Sequence, residues 1–199
     1  MDCYHMRHKG IVLKSWHTKK CKIALLDTLY GRIDTSTYTS IDSAGLLLSY
    51  ILEPVRGKLV ITDVMIENSP LYLAQKDILF LHHVLELCSA FIPVGSCTQG
   101  IFSLLLKLYE PRDYLQARQY KKFFIFKLLA LLGIASCHYH MRVFTLHQLH
   151  LVSIDTFMEE SLHLESEKDL DNWLQHTIAE YTNLDQLKTV HFLYKSRVA

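Results

Sequence analysis

The apolar periodicity of this chain changes once, near Asn68, and that change bounds what it can fold into. Before it, short apolar and β-branched segments at 11–13, 22–27, 32–39, 46–52 and 59–66 alternate with turn residues. Tyr30-Gly31 and Arg56-Gly57 predict tight turns, because glycine accepts positive φ without a steric cost. Ile33, Thr35, Thr37 and Thr39 fall on one face of a pleat. Pro54 is expected to end the fourth strand. Five short strands in so little chain predict a small closed barrel, since closure removes exposed edges. After Asn68 the period becomes helical. Ser69-Pro70 predicts a helix start, with Ser as cap and Pro in the first turn. Helices are expected over 71–91, 98–109, 114–132, 165–181 and 184–194, with 136–153 unassigned. The fold class expected is α+β: a five-stranded barrel domain over 1–68, then an all-helical domain over 69–199.

Half of the residues are hydrophobic and 21% are charged, so a full core is available and extended disorder is excluded. The five cysteines are odd in number and contain no CxxC pair, which argues for a reducing compartment over a disulfide framework. The opening MDCYHMRHKG carries charges where a signal peptide has an apolar core. The longest apolar run, 123–135, is interrupted by Lys127 and is too short for a bilayer. The expectation is a soluble, cytoplasmic protein without a membrane partner. No G-x-S-x-G, P-loop, H-E-x-x-H or G-x-G-x-x-G is present, so no enzyme is expected and no cofactor. Gly95-Ser96-Cys97 reads as a turn and helix cap; Cys97 as a nucleophile needs a general base that sequence does not show.

The formal net charge of +1 conceals alternating blocks. Residues 1–60 carry nine Lys/Arg against five Asp/Glu, and 107–142 carry seven against two. Such blocks attract polyanions even in a nearly neutral chain, although a solvated face gives the same pattern. The first block contains Arg7, Lys9, Lys14, Lys19, Lys20, Lys22 and Arg32, with Trp16, Tyr30 and Tyr38 among them. Aromatic faces stack bases while Lys and Arg hold phosphates, independently of sequence. Large rings are usually buried, however, which assigns these three to the barrel core by default. In the second block Arg118, Lys121 and Lys122 sit at i, i+3 and i+4 and are expected to share one helix face near Lys107, Tyr120 and Phe124. Cys137-x2-His140 and His147-x2-His150 could supply four N/S ligands, but the spacing is loose and no metal is expected there.

Three segments, in order along nearly the whole chain, resemble the RecO family of recombination mediators. GIVLKSW at 10–16 with KIALLDTLYGRI at 22–33 is similar to that family's opening strands. FKLLALLGI at 126–134 resembles its L-L-x-x-L-G segment, and IAEYTNLDQLKTVHFL at 178–193 its closing pattern. The resemblance implies an OB-fold barrel and a helical domain that bind and anneal single-stranded DNA without catalysis. It also implies docking on the acidic tail of single-stranded-DNA-binding protein, pairing with RecR, and help for RecA loading in DNA repair. On that basis Arg7, Lys9, Lys14, Lys19, Lys20, Lys22 and Arg32 are the expected DNA contacts. Lys107, Arg118, Lys121 and Lys122 are the expected partner contacts. Many members carry a four-cysteine zinc module where this chain has SCHYHMRVFTLHQLH with only Cys137, so part of the family's activity is in doubt. The alternative is an interaction scaffold that kept the fold and lost DNA binding.

Overall fold

The computed structural model describes residues 6–16, 21–96, 99–112, 118–134 and 167–181. Five strands, β1 (Arg7–Trp16), β2 (Cys21–Asp27), β3 (Gly31–Thr37), β4 (Leu47–Val55) and β5 (Lys58–Asn68), close a barrel in the order β1-β2-β3-β5-β4. All neighbours are antiparallel except β3 and β5, which seal the barrel by a short parallel pairing of Ser36 with Val60 and Thr37 with Ile61. Alternation places Val12, Ile23, Leu25, Ile33, Leu48 and Ile61 inside.

β4 runs through Pro54 to Val55. Among the described residues β1 pairs with β4 only as far as Arg7–Ile51, so beyond Ile51 that side of β4 is an edge, where a missing N–H costs little. A buried carboxylate organises the β2–β3 turn. Asp27 Oδ1 accepts from the Leu29 and Tyr30 N–H groups at 2.7 and 2.8 Å, and Oδ2 accepts from the Tyr50 hydroxyl at 2.5 Å. Burial, and then the neighbouring Asp27 charge, push the Tyr50 phenol far above its ordinary pKa. A Cβ at Gly10 would stand 2.9 Å from that hydroxyl, which explains the glycine.

Helix α1 (Leu71–Phe91) packs on β1, and is followed by α2 (Gln99–Leu106) and a 3-10 turn at Lys107–Tyr109. The expected Ser69 cap does not form: the N-cap position is Pro70, without a side-chain bond. The cap lies further on. Asp77 breaks helical geometry inside α1 and its Oδ1 accepts the Phe80 N–H at 3.0 Å, capping the longer segment that follows. Residues 1–111 form one compact unit and 112–199 another. The second unit, 112–199, contains α3 (Arg118–Leu131) and α4 (Glu167–Tyr181), packed through Phe126 and Trp173 with ring centroids 5.1 Å apart. Among the described residues no helix is long and apolar enough to cross a membrane.

Candidate nucleic-acid interface

The barrel sorts its basic residues by what lies opposite them. Arg7 donates to Ser49 Oγ and to the Asp63 backbone oxygen, each at 3.0 Å, and forms an ion pair with the Asp63 carboxylate. Asp63 adopts a left-handed φ of 47° within an irregular stretch of the β4–β5 ladder, so Arg7 fastens a strained bulge. Lys9 meets Glu67 at 2.7 Å. Arg32 pairs with Asp34 at 3.2 Å and donates to the Ser89 and Ile92 carbonyls at the end of α1, where a cation suits the helix dipole. These three residues have structural partners, and their charge is largely neutralised.

Lys14 and Lys22 differ. Both are exposed and, among the described residues, neither has a carboxylate partner. A register shift between Val12 and Lys14 turns Lys14 outward, opposite Ala24. Trp16 lies directly across from Lys22, with the Lys14 ammonium 5.1 Å from its ring centroid. Trp16 is 36% exposed, Tyr30 48% and Tyr38 69%, which corrects their expected place in the barrel core. Trp16 projects from the outer surface because its strand pairs it with a surface lysine. Lys19 and Lys20, in the β1–β2 connection, lie outside the described residues.

An exposed ring flanked by two unneutralised ammonium groups can stack a base while the cations hold adjacent phosphates. Lys14 on the ring is itself a cation–π contact, and it can remain on one face while a base takes the other. Sequence reading also passed over Arg56 and Lys58, both exposed, treating Arg56 only as part of a turn. The signal was there: a two-residue hairpin turn that carries a cation instead of Asn or Asp.

In the second unit the expected ridge is split. Lys122 is 1% exposed and bonded to Asp171 of α4 at 2.7 and 2.8 Å, so it does not share a solvent face with Arg118. Arg118 stays at the surface, 3.9 Å from the same Asp171, and Lys121 is half-buried. Tyr120 and Phe124 are fully buried and offer no open groove. Lys107, in the first unit, pairs with Glu110 at 3.4 Å. Cys97, Cys137, His140, His147 and His150 lie outside the described residues. The chain matches no protein-family model and no curated protein.

Proposed function

We propose that this chain is a non-catalytic single-stranded DNA-binding protein of the RecO-like recombination-mediator type, with its primary contact at Lys14, Trp16 and Lys22. The observation that carries this reading is the pairing of an exposed tryptophan with two unneutralised lysines on the outside of a small barrel. The sequence resemblance supports the mediator role and the RecR-like partner. Contact with the acidic tail of single-stranded-DNA-binding protein falls to Arg118 and Lys121, the two of the Arg118, Lys121 and Lys122 set that are not buried.

The alternative, a scaffold without DNA binding, draws on the neutralisation of Arg7, Lys9, Arg32, Lys107 and Lys122 by nearby carboxylates. The chain has two tryptophans, and Trp173 is buried at 2% exposure, so static quenching by a bound base reports on Trp16. Titration with oligothymidylate at low salt is expected to quench the exposed component of the fluorescence. Trp16→Leu should abolish the quench and lower affinity by roughly 1–3 kcal/mol, the value of one base–aromatic stack. A protein that binds no oligonucleotide at low salt would favour the scaffold.

A further inference from the structure

We infer that the β-bulge at Asp63, held by Arg7, keeps the open edge of β5 from pairing with the same edge of a second copy of this chain. β4 lines one side of β5 along its length. On the other side β3 meets only Val60 and Ile61. Thr62–Asn68 therefore has no strand partner on that side among the described residues. At a rise of about 3.3 Å per residue this edge is about 23 Å long. Outside the β4–β5 ladder, the one hydrogen bond to its main chain among the described residues comes from Arg7, to the Asp63 carbonyl. Unpaired N–H and C=O groups in such a row are a template for another strand.

The side chains along this edge favour such pairing. Met65 and Ile66 are both exposed, and as neighbours in a strand they lie on opposite faces. An added strand would meet an apolar side chain on each face. Charge, a common guard of an edge, is cancelled here: Asp63 pairs with Arg7 and Glu67 with Lys9. Those two cations reach across β4 from β1, so the edge has no net charge with which to repel an identical edge. Two identical edges can meet antiparallel about a twofold axis, each serving the other as template. The occupant that fits is therefore a second copy.

The backbone guards the edge instead. Ser49 pairs with Met65 and Ile51 with Thr62, so Tyr50 alone stands opposite Asp63 and Val64. Two residues against one make a β-bulge, which bends its strand and increases its twist. Asp63 occupies it at φ 47°, a region that Asp and Asn enter more readily than most residues and that β-branched residues avoid. Arg7 locks this shape from outside the strand. It donates at 3.0 Å to the Asp63 carbonyl and at 3.0 Å to Ser49 Oγ, and it pairs with the Asp63 carboxylate. The bulge stands at the start of the open run, just past the last pairing with β3 at Ile61. A bent, strongly twisted edge cannot lie flat against its own image.

Asp63→Val and Asp63→Asn separate backbone shape from charge, because both remove the carboxylate and only valine refuses the left-handed region. In sedimentation velocity of the full chain, wild type and Asp63→Asn are expected to share one mass. Asp63→Val is expected to double it, in a fraction that rises with concentration. Arg7→Ala keeps Asp63 but frees the bulge, so it should dimerise more weakly, and it decides the matter if Asp63→Val does not fold. Adding Met65→Lys to either associating variant should restore the wild-type mass, because a lysine on an edge blocks pairing. An Arg7→Ala variant that does not associate, dimers that Met65→Lys leaves intact, or equal dimerisation of Asp63→Asn would each overturn the inference. So would wild-type protein that is itself a dimer and that Met65→Lys separates, since the edge would then be in use.

Discussion

Asp171→Ala is expected to destabilise the second unit by about 1.5–3 kcal/mol, the usual worth of a hydrogen bond to a charged group. Lys122 is 1% exposed, and its ammonium donates to Asp171 Oδ2 at 2.8 Å and lies 2.7 Å from Oδ1. Removing the carboxylate takes a charge-assisted hydrogen bond from a buried ammonium, and with it a link between α3 and α4. Lys122→Met should cost less than Asp171→Ala, because the Asp171 side chain is 25% exposed and can be hydrated. The double variant Lys122→Met with Asp171→Leu should recover most of the loss, since apolar replacement of both partners is often neutral. Urea unfolding followed through Trp173 reads the effect where it occurs, as that ring packs against Phe126. Equal and small effects of both single variants would show that the pair is well solvated and that α3 and α4 are held by their rings alone.

The first unit should lose stability in mild acid because of a single histidine. His83 is fully buried on α1, and burial, only partly opposed by Glu86, lowers its pKa from 6.5 to about 4. The unfolded chain therefore binds a proton that the folded chain refuses. Stability is intact above the unfolded pKa and falls as the pH drops from about 6.5 toward 4. The expected loss is about 2 kcal/mol between pH 7 and pH 5, and about 3 kcal/mol by pH 4. His83→Leu should remove most of that slope. A slope that persists in the variant would assign the acid sensitivity to carboxylate pairs such as Arg7–Asp63 and Lys9–Glu67.

The barrel was legible because its strands announce themselves by a two-residue period and its turns by glycine. The error at Pro54 is instructive: proline ends a strand only where its missing N–H faces a partner, and which side of β4 is open depends on the length of β1. The site was legible in composition and not in membership. Arg7, Lys9, Lys14, Lys22 and Arg32 look alike along the chain. What distinguishes them is the residue across the fold: Asp63 is 56 positions from Arg7, and Glu67 is 58 from Lys9. Helical spacing puts Arg118 and Lys122 on one side of α3, and that side is where Asp171 arrives, 49 residues beyond Lys122. Trp16 was misassigned to the core because a statistical preference of large rings outweighed the neighbouring lysines. Its exposure follows from one cross-strand partner, Lys22, that no local pattern reveals.

We propose that the unneutralised lysine–tryptophan surface on this barrel holds single strands through their phosphates. It is tested most directly by the salt dependence of oligothymidylate binding in wild-type protein and in Lys14→Ala/Lys22→Ala. A linear fall of log K with log salt is expected, with a slope flatter by roughly 1.4 in the double variant, about 0.7 for each contact removed. Arg7→Ala or Lys9→Ala should leave the slope nearly unchanged, because those cations are already paired with Asp63 and Glu67. A slope insensitive to Lys14 and Lys22, or one governed instead by Arg7 and Lys9, would contradict it.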